Sequence, residues 1–356
     1  NGMVRTIEYN PVTGVLRIHT DLEFTIHFDN ADIPATIEEK SQYYSPVFEP
    51  VYRILSNYES PDFRDDLVSD PITYVIIANS IFDGHLDEFI NWKTEKGYSV
   101  ITGYTGDIGS STAAIKSFIQ DLYENPDEGI APPSFALFVG DVAQVPAWSG
   151  NMGGHVTDLY YCEFTNDYLP EIYYGRFSAS NLSQLQAQLD KTLEYDQYTM
   201  PDPSYLGEVV MIAGMDASHG YTWGNGQINY GTTYYFNADH GIYSNTYLYP
   251  NSGSNSGNII SNVSDGVGYV NYTAHGSQTS WADPSFTINN INNLDNAHKY
   301  PLVVGNCCLT NAFDTGTCFG EAWLRAEEKG AIGYIGASNN TYWDEDYWWG
   351  VGAGTI

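Results

Sequence analysis

The segment YVNYTAHGSQTSWADP, residues 269–284, begins as an apolar and aromatic strand pattern and runs straight into a histidine followed by glycine. A second apolar run, YPLVVGNCCLTNAFD at 300–314, stops in the same way at Asn306, Cys307 and Cys308. Short continuous runs of this kind, rich in β-branched residues, read as strands buried on both faces of a parallel sheet. Two strands therefore each deliver a reactive side chain at their carboxyl ends.

Working outward, EVVMIAG (208–214) and AIGYIGAS (331–338) have the same character, and Asp216 lies just past the first of them. An earlier series, TYVIIAN (73–79), YSVITGY (98–104) and SFALFVGD (134–141), alternates with two helical patterns. One runs through Leu86, Phe89, Ile90 and Lys93, the other over STAAIKSFIQDLYEN (111–125). A further helix carrying Leu182, Leu185, Leu189 and Leu193 leads into the second series. Strand–helix alternation predicts two related α/β halves with parallel sheets and right-handed crossovers. Open parallel sheets bind ligands at the carboxyl ends of their strands, so Asp216, His275 and Cys308 are expected along one edge.

Residues 3–34 alternate apolar and polar residues around the turn signal NPVTG, the pattern of an antiparallel hairpin or meander too small to fold alone. Residues 40–70 are punctuated by Pro, Ser and Asp and read as a connector. The expected organisation is a hairpin plus connector over 1–58, a linker over 59–70, a first α/β subdomain over 71–200 and a second over 201–356.

The chain has 356 residues, enough for a large core, and carries 13 basic against 44 acidic residues, a formal net charge of −31. That balance argues against nucleic acid or an anionic membrane as partner and favours cationic substrates. No run approaches the roughly 18 to 20 apolar residues of a membrane span, and NGMVRTIEYN has neither the charged head nor the apolar core of a signal peptide. The four cysteines show no CxxC spacing and no accompanying His cluster, which argues against zinc. Cys307 and Cys308, being adjacent, are poorly placed to pair, so a free thiol is expected.

A cysteine peptidase needs a thiolate, a base and a group that orients the base. Cys308, His275 and Asp216 fill those roles. Side chains alternate along a strand, so of Cys307 and Cys308 one faces a cleft and the other the core. Gly276 lets its main-chain N–H approach a substrate carbonyl, with the N–H of Cys308 as a second oxyanion donor. Each residue has an ordinary alternative: a buried small hydrophobe for the cysteine, a structural histidine, a helix N-cap for Asp216. A strand ending in His-Gly, a crossover and a strand ending in Cys is the order found in caspase-like peptidases, and it favours catalysis.

The segments NYTAHGSQTSWADP, GNCCLTNAFD, CFGEAWLRAEEKGAIGYIGAS and YWDEDYWWGVGAG resemble the gingipains, secreted bacterial cysteine peptidases, and most nearly their lysine-specific branch. The likeness extends back through VTDLYY, NDYLPE, YGRFSAS and MPDPSYL. It implies a caspase-like α/β fold of two parallel-sheet subdomains covered by helices, preceded by a short β-rich prosegment remnant over residues 1–58. It also implies a secreted or cell-surface bacterial endopeptidase made as a zymogen, cleaving protein or peptide substrates after a basic residue, with its own prosegment as partner and calcium for stability.

Carried over residue by residue, the resemblance makes Cys308 the nucleophile, His275 the base and Asp216 its orienting group. It implies calcium ligands at Asp141, Asp167, the Leu169 carbonyl and Glu171, with Thr165 standing where the family has another aspartate, and a second site at the Phe313 carbonyl and Glu321. In TYWDEDYWWG (341–350) it makes Asp346 the pocket acid, with Tyr342 and Trp343 as walls and Thr273 as a further polar contact. The arginine-specific branch takes its acid from about the position of Gln227, so lysine is favoured over arginine. Family members continue past GVGAGTI, so the second subdomain is expected to be incomplete. Competing expectations are a catalytically inactive surface-binding or adhesin module of the same fold, and a glycoside hydrolase using Asp344 and Asp346. For the hydrolase, no carboxylate pair on separate strand ends is available.

Overall fold

The computed structural model describes residues 6–20, 31–55, 58 and 71–352. It comprises two compact units, residues 1–44 and 45–356. In the first, Ile7–Asn10 pairs antiparallel with Val15–Ile18. The turn forms because the Asn10 side chain accepts the N–H groups of Val12 and Thr13, and Gly14 takes a left-handed φ of 67°. The expected hairpin is present. Beyond it, Ile33–Tyr43 is a helix capped by Asp32, with Pro34 in its first turn. No strand or connector reading anticipates that helix, because it has no buried residue and so no apolar stripe. The expected linker 59–70 and residues 21–30 lie outside the described residues.

In the second unit, residues 45–52 belong with the first sheet: the Ser134 hydroxyl donates to that of Ser45, and the Phe48 ring lies 4.5 Å from that of Tyr173. The sheet contains β1 (Thr73–Ala78), β2 (Ser99–Tyr104), β3 (Pro133–Val139) and β4 (Tyr173–Phe177), all parallel in the order β2-β1-β3-β4. Alternate residues of β1 and β3 feed two cores. Ile76, Leu137 and Val139 pack with Phe89 of α1 (Asp87–Glu95) and Leu185 and Leu189 of α3 (Leu182–Asp196). Val75, Ile77 and Phe138 pack with Ile115 and Ile119 of α2 (Thr112–Glu124) on the other face.

The second sheet contains β5 (Glu208–Ala213), β6 (Tyr243–Tyr247), β7 (Tyr269–Thr273), β8 (Leu302–Asn306) and β9 (Gly333–Gly336). It is also wholly parallel, in the order β6-β5-β7-β8-β9. Its helices include α4 (Asn225–Tyr234), α5 (Ser256–Asp265), α6 (Phe319–Arg325) and α7 (Trp343–Val351). The two sheets begin with the same strand order, which bears out the two related halves. Strands β4 and β6 were not expected: both are sheet edges with mixed, half-exposed sequences, YYGRF and YSNTY, and no continuous apolar run.

Cations fasten the halves together. Lys191 of α3 is buried, and its Nζ donates to the carbonyls of Trp323, Leu324, Ala326 and Lys329 at 2.7–3.2 Å, around and beyond the end of α6. Burial pulls its pKa down to about 7, while four carbonyl acceptors favour the charged form. Arg325 of α6 reaches back to the Ser178 carbonyl and hydroxyl and to Asp141. Replacing Lys191 with Met leaves four acceptors short of a donor, and is expected to lower unfolding free energy by about 2–4 kcal/mol. The measurement is the urea midpoint at constant slope; an unchanged midpoint would show that the carbonyls find water instead.

Candidate active site

Ala213, Thr273 and Asn306 are aligned across β5, β7 and β8, so three central strands end at one level. The chain leaves each of them into a loop carrying Asp216, His275 or Cys308. This edge adjoins β5 and β7, where the strand order reverses and open α/β sheets form a crevice.

Asp216 Oδ2 accepts a hydrogen bond from His275 Nε2 at 2.8 Å. Its other oxygen accepts the N–H groups of Ser218 and His219, each at 2.8 Å, and lies 3.2 Å from His219 Nδ1. The capping role and the orienting role are therefore held by the two oxygens of one carboxylate. Burial would raise this acid, but the hydrogen bonds from His275 and from the His219 and Ser218 N–H groups outweigh it and bring the pKa down to about 2. With Nε2–H directed at Asp216, Nδ1 is the ring nitrogen left to act as base. The histidine backbone is held as well: the Tyr272 hydroxyl and the Ala282 N–H both donate to the His275 carbonyl.

Cys307 is fully buried and burial pushes its thiol far above the ordinary range, whereas Cys308 is partly exposed. Alternation along the strand end thus separates an inert cysteine from an accessible one. Cys308 lines a cleft of about 400 Å³ together with His275, Thr341, Tyr342, Trp343 and Asp346. Leu309, the next residue, has a left-handed φ of 61° and donates its N–H to the Asn339 carbonyl, so the chain turns sharply past the thiol. Gly276 has a steric reason besides the oxyanion one: a Cβ there would lie 2.6 Å from Cys307 Sγ and 2.7 Å from the Cys308 carbonyl. Only glycine lets the histidine loop approach the cysteine loop this closely.

Asp346 lies in the first turn of α7 and is 8% exposed. Burial, reinforced by Glu345 and Asp344, raises its carboxyl to about 6 against the opposing hydrogen bond from the Thr341 hydroxyl at 2.7 Å. Its main-chain carbonyl accepts from Asn306 Nδ2 at 2.7 Å and from Gln227 Nε2 at 3.1 Å. The Trp343 ring stacks on His219 and meets His275 edge-on, both at 5.7 Å between centroids. Thr273 is buried at the end of β7 and is not among the residues lining the cleft. Thr341 was not singled out from the sequence, and Asn306 was noted only as the polar residue at which an apolar run stops.

The residues assigned to calcium hold contacts within the protein. Glu171 accepts the Phe164 N–H and the Thr165 hydroxyl, and Asp167 accepts the Leu169 N–H, so this loop's carboxylates are engaged within the loop itself. Asp141 and Glu321, expected in separate sites, are joined by one Arg325 nitrogen at 2.9 and 2.6 Å. Phe313 packs its ring against the Arg176 guanidinium. Among the described residues no three His, Cys, Asp or Glu side chains are grouped closely enough to hold a metal ion by themselves.

A sequence profile for peptidase family C25 matches residues 68–351. The chain belongs to peptidase family C25. It is 39% identical over 356 residues to Lys-gingipain HG66 of Porphyromonas gingivalis, a match covering 99% of this chain and 20% of that one. A solved structure titled "Structure of Protease" superposes with a TM-score of 0.75 at 42% identity, covering 80% of this chain and 63% of the other. The crystal structure of the Arg-specific cysteine proteinase gingipain R superposes at 0.66 with 26% identity, covering 77% and 64%. These neighbours bear out the caspase-like class. The chain spans about a fifth of the length of its Lys-gingipain relatives.

In the folded protein, iodoacetamide is expected to modify Cys308 and to spare Cys162, Cys307 and Cys318, which are all buried. Peptide mass mapping reads this directly. Comparable labelling of Cys307 would exchange the roles of the two neighbours.

Proposed function

We propose that this chain is the catalytic part of a secreted bacterial cysteine endopeptidase that cleaves after lysine. The observation supporting it most directly is the Asp216–His275 pair facing the same cleft as Cys308 and a buried Asp346. His275 takes the thiol proton, Cys308 Sγ attacks the scissile carbonyl, and the N–H groups of Cys308 and Gly276 receive the developing oxyanion. The imidazolium formed is stabilised by Asp216, which stays ionised throughout the working range. The leaving amine takes the proton back from His275, and water then hydrolyses the acyl-enzyme.

The lysine reading rests on Asp346, which lines the cleft together with Tyr342 and Trp343. A half-enclosed carboxylate attracts an ammonium more strongly than an exposed one, because less water screens the pair. Gln227, at the place of the arginine-branch acid, is buried and uses its amide to hold the Asp346 carbonyl. An inactive adhesin of the same fold would lack a member of the triad, and none is missing. A net charge of −31 suits cationic substrates. We carry structural calcium as a proposal for stability alone, since its acidic loop is present but its carboxylates would first have to release the loop's own donors. Calcium should then raise the melting temperature, and Glu171→Gln should remove the rise; an unchanged melt with calcium or chelator excludes it.

Cys308→Ala and His275→Ala are each expected to lower kcat by several orders of magnitude. Asp346→Asn should lower kcat/KM for lysyl peptides by about 100-fold while leaving Cys308 open to small alkylators. In the unsubstituted protein, Asp346 is charged above about pH 6 and neutral below it. The preference for lysyl over alanyl peptides should therefore fall as pH drops through that value. Matched peptides with Lys, Arg or Ala before the scissile bond test this; a preference for Arg or Ala, or an unchanged lysyl rate in Asp346→Asn, removes Asp346 from the pocket.

A further inference from the structure

Thr341, in the loop between β9 and α7, touches both ends of the site. Its main-chain N–H donates to Cys308 Sγ at 3.3 Å, and its hydroxyl donates to Asp346 Oδ2 at 2.7 Å. Its carbonyl oxygen also lies 3.7 Å from Cys308 Sγ, placed to accept from a protonated thiol. The same residue thus offers the sulfur a donor and an acceptor. A negative sulfur strengthens the first contact and makes the second repulsive, so the position of this loop matters to the attacking sulfur.

The loop is tied along its length, at Thr341 and at the Asn339 side chain, which donates to the Met152 carbonyl, as well as at its ends. Asn311 N–H donates to the Ala337 carbonyl, Leu309 N–H to the Asn339 carbonyl, and Asp346 N–H to the Tyr342 carbonyl. Between these ties, Thr341 and Asp346 form a partition. On one side is the cleft containing Cys308, and on the other a second cavity of about 390 Å³ reached by Asn306 and Trp349. A wall backed by a cavity is positioned by its hydrogen bonds more than by packing.

We propose that Thr341 is a positioning residue that couples the pocket acid to the nucleophile, so that a cation seated on Asp346 fixes the N–H donor against Cys308. The proposal rests on the reading of Asp346 as the lysine-binding acid. Occupancy keeps Asp346 ionised, the ionised carboxylate draws the Thr341 hydroxyl more firmly, and the tightened loop presents its N–H to the thiolate. A lysyl side chain then contributes to the chemical step as well as to binding, which is how binding energy raises kcat.

The experiment uses Thr341→Val, which keeps shape and N–H but removes the hydroxyl, and Thr341→Ser, which restores it. The lysyl peptide should lose about tenfold in kcat with Val, with a smaller change in KM; the alanyl peptide, which feels only the loss of the Thr341 hydroxyl beside Cys308 Sγ, should lose several-fold less, and Ser should recover the rate. Independently, n-butylammonium, a mimic of the lysine side chain, should accelerate iodoacetamide modification of Cys308 by about threefold at about pH 5.5, where most of Asp346 is protonated until a cation binds, in the unsubstituted protein and not in Thr341→Val or Asp346→Asn. A Val variant that slows both peptides equally, or butylammonium without effect on the unsubstituted protein, overturns the coupling. If Asp346→Asn keeps its lysyl preference, the pocket reading has failed instead; if it loses that preference while butylammonium does nothing, only the coupling has failed. Should Thr341→Val not fold, the butylammonium arm on the unsubstituted and Asp346→Asn proteins decides alone.

Discussion

Everything at the site depends on β5, β7 and β8 ending at one level. Parallel pairing in register brings Ala213, Thr273 and Asn306 side by side, and short loops then place a carboxylate, an imidazole and a thiol in reach of a common cleft. Each loop also meets a local demand set by that closeness. Asp216 caps its own turn with one oxygen, Gly276 carries no Cβ because the cysteine loop is within contact distance, and Leu309 accepts a left-handed backbone to turn the chain past Cys308. The catalytic arrangement and the packing arrangement are the same set of constraints.

Two aspartates within this cleft region are driven in opposite directions by their surroundings. Asp216 receives N–H donors from backbone and histidine and is held ionised, near 2. Asp346 has one hydroxyl donor and two acidic neighbours, and burial raises it to about 6. The first must keep its charge to support an imidazolium. The second is poised to gain its partner from outside, which fits a binding acid better than a structural one. The cationic side chains are placed with similar economy: Lys191, Arg176 and Arg325 are each enclosed and multiply hydrogen-bonded, which withdraws three of the 13 basic residues from the acidic surface.

Much of this was legible in the sequence where burial is two-sided. Strands such as TYVIIA and EVVMIA are buried almost throughout, so their apolar runs could be read without a partner in view, and the reactive residues at their ends followed from parallel topology. Edge strands β4 and β6 were missed because one side of each is unpaired and their residues are mixed. Helix α7 carries Asp346 on an aromatic-rich segment, WDEDYWWGV, whose apolar residues go nearly all round, so its periodicity does not distinguish helix from turn. The calcium residues show a different limit. Their types and spacing were visible, but the pairing of Asp141 with Arg325 is a tertiary contact between segments far apart in sequence, and the capture of loop N–H groups by Glu171 and Asp167 depends on a local turn geometry that composition does not give.

Asp346 and Cys308 lie on different segments, and what joins them is polar contact. Asn306, two residues before Cys308, donates to the Asp346 carbonyl, and Thr341 spans from Asp346 to Cys308. An apolar contact here would tolerate sliding, because dispersion has no preferred direction. Hydrogen bonds fix both distance and angle, and inside a partly dehydrated cleft a broken one leaves an unpaired group. Strand β8 and helix α7 are therefore held at a defined offset even though a cavity of about 390 Å³ lies between them. The same few donors thus connect Asp346 with Cys308.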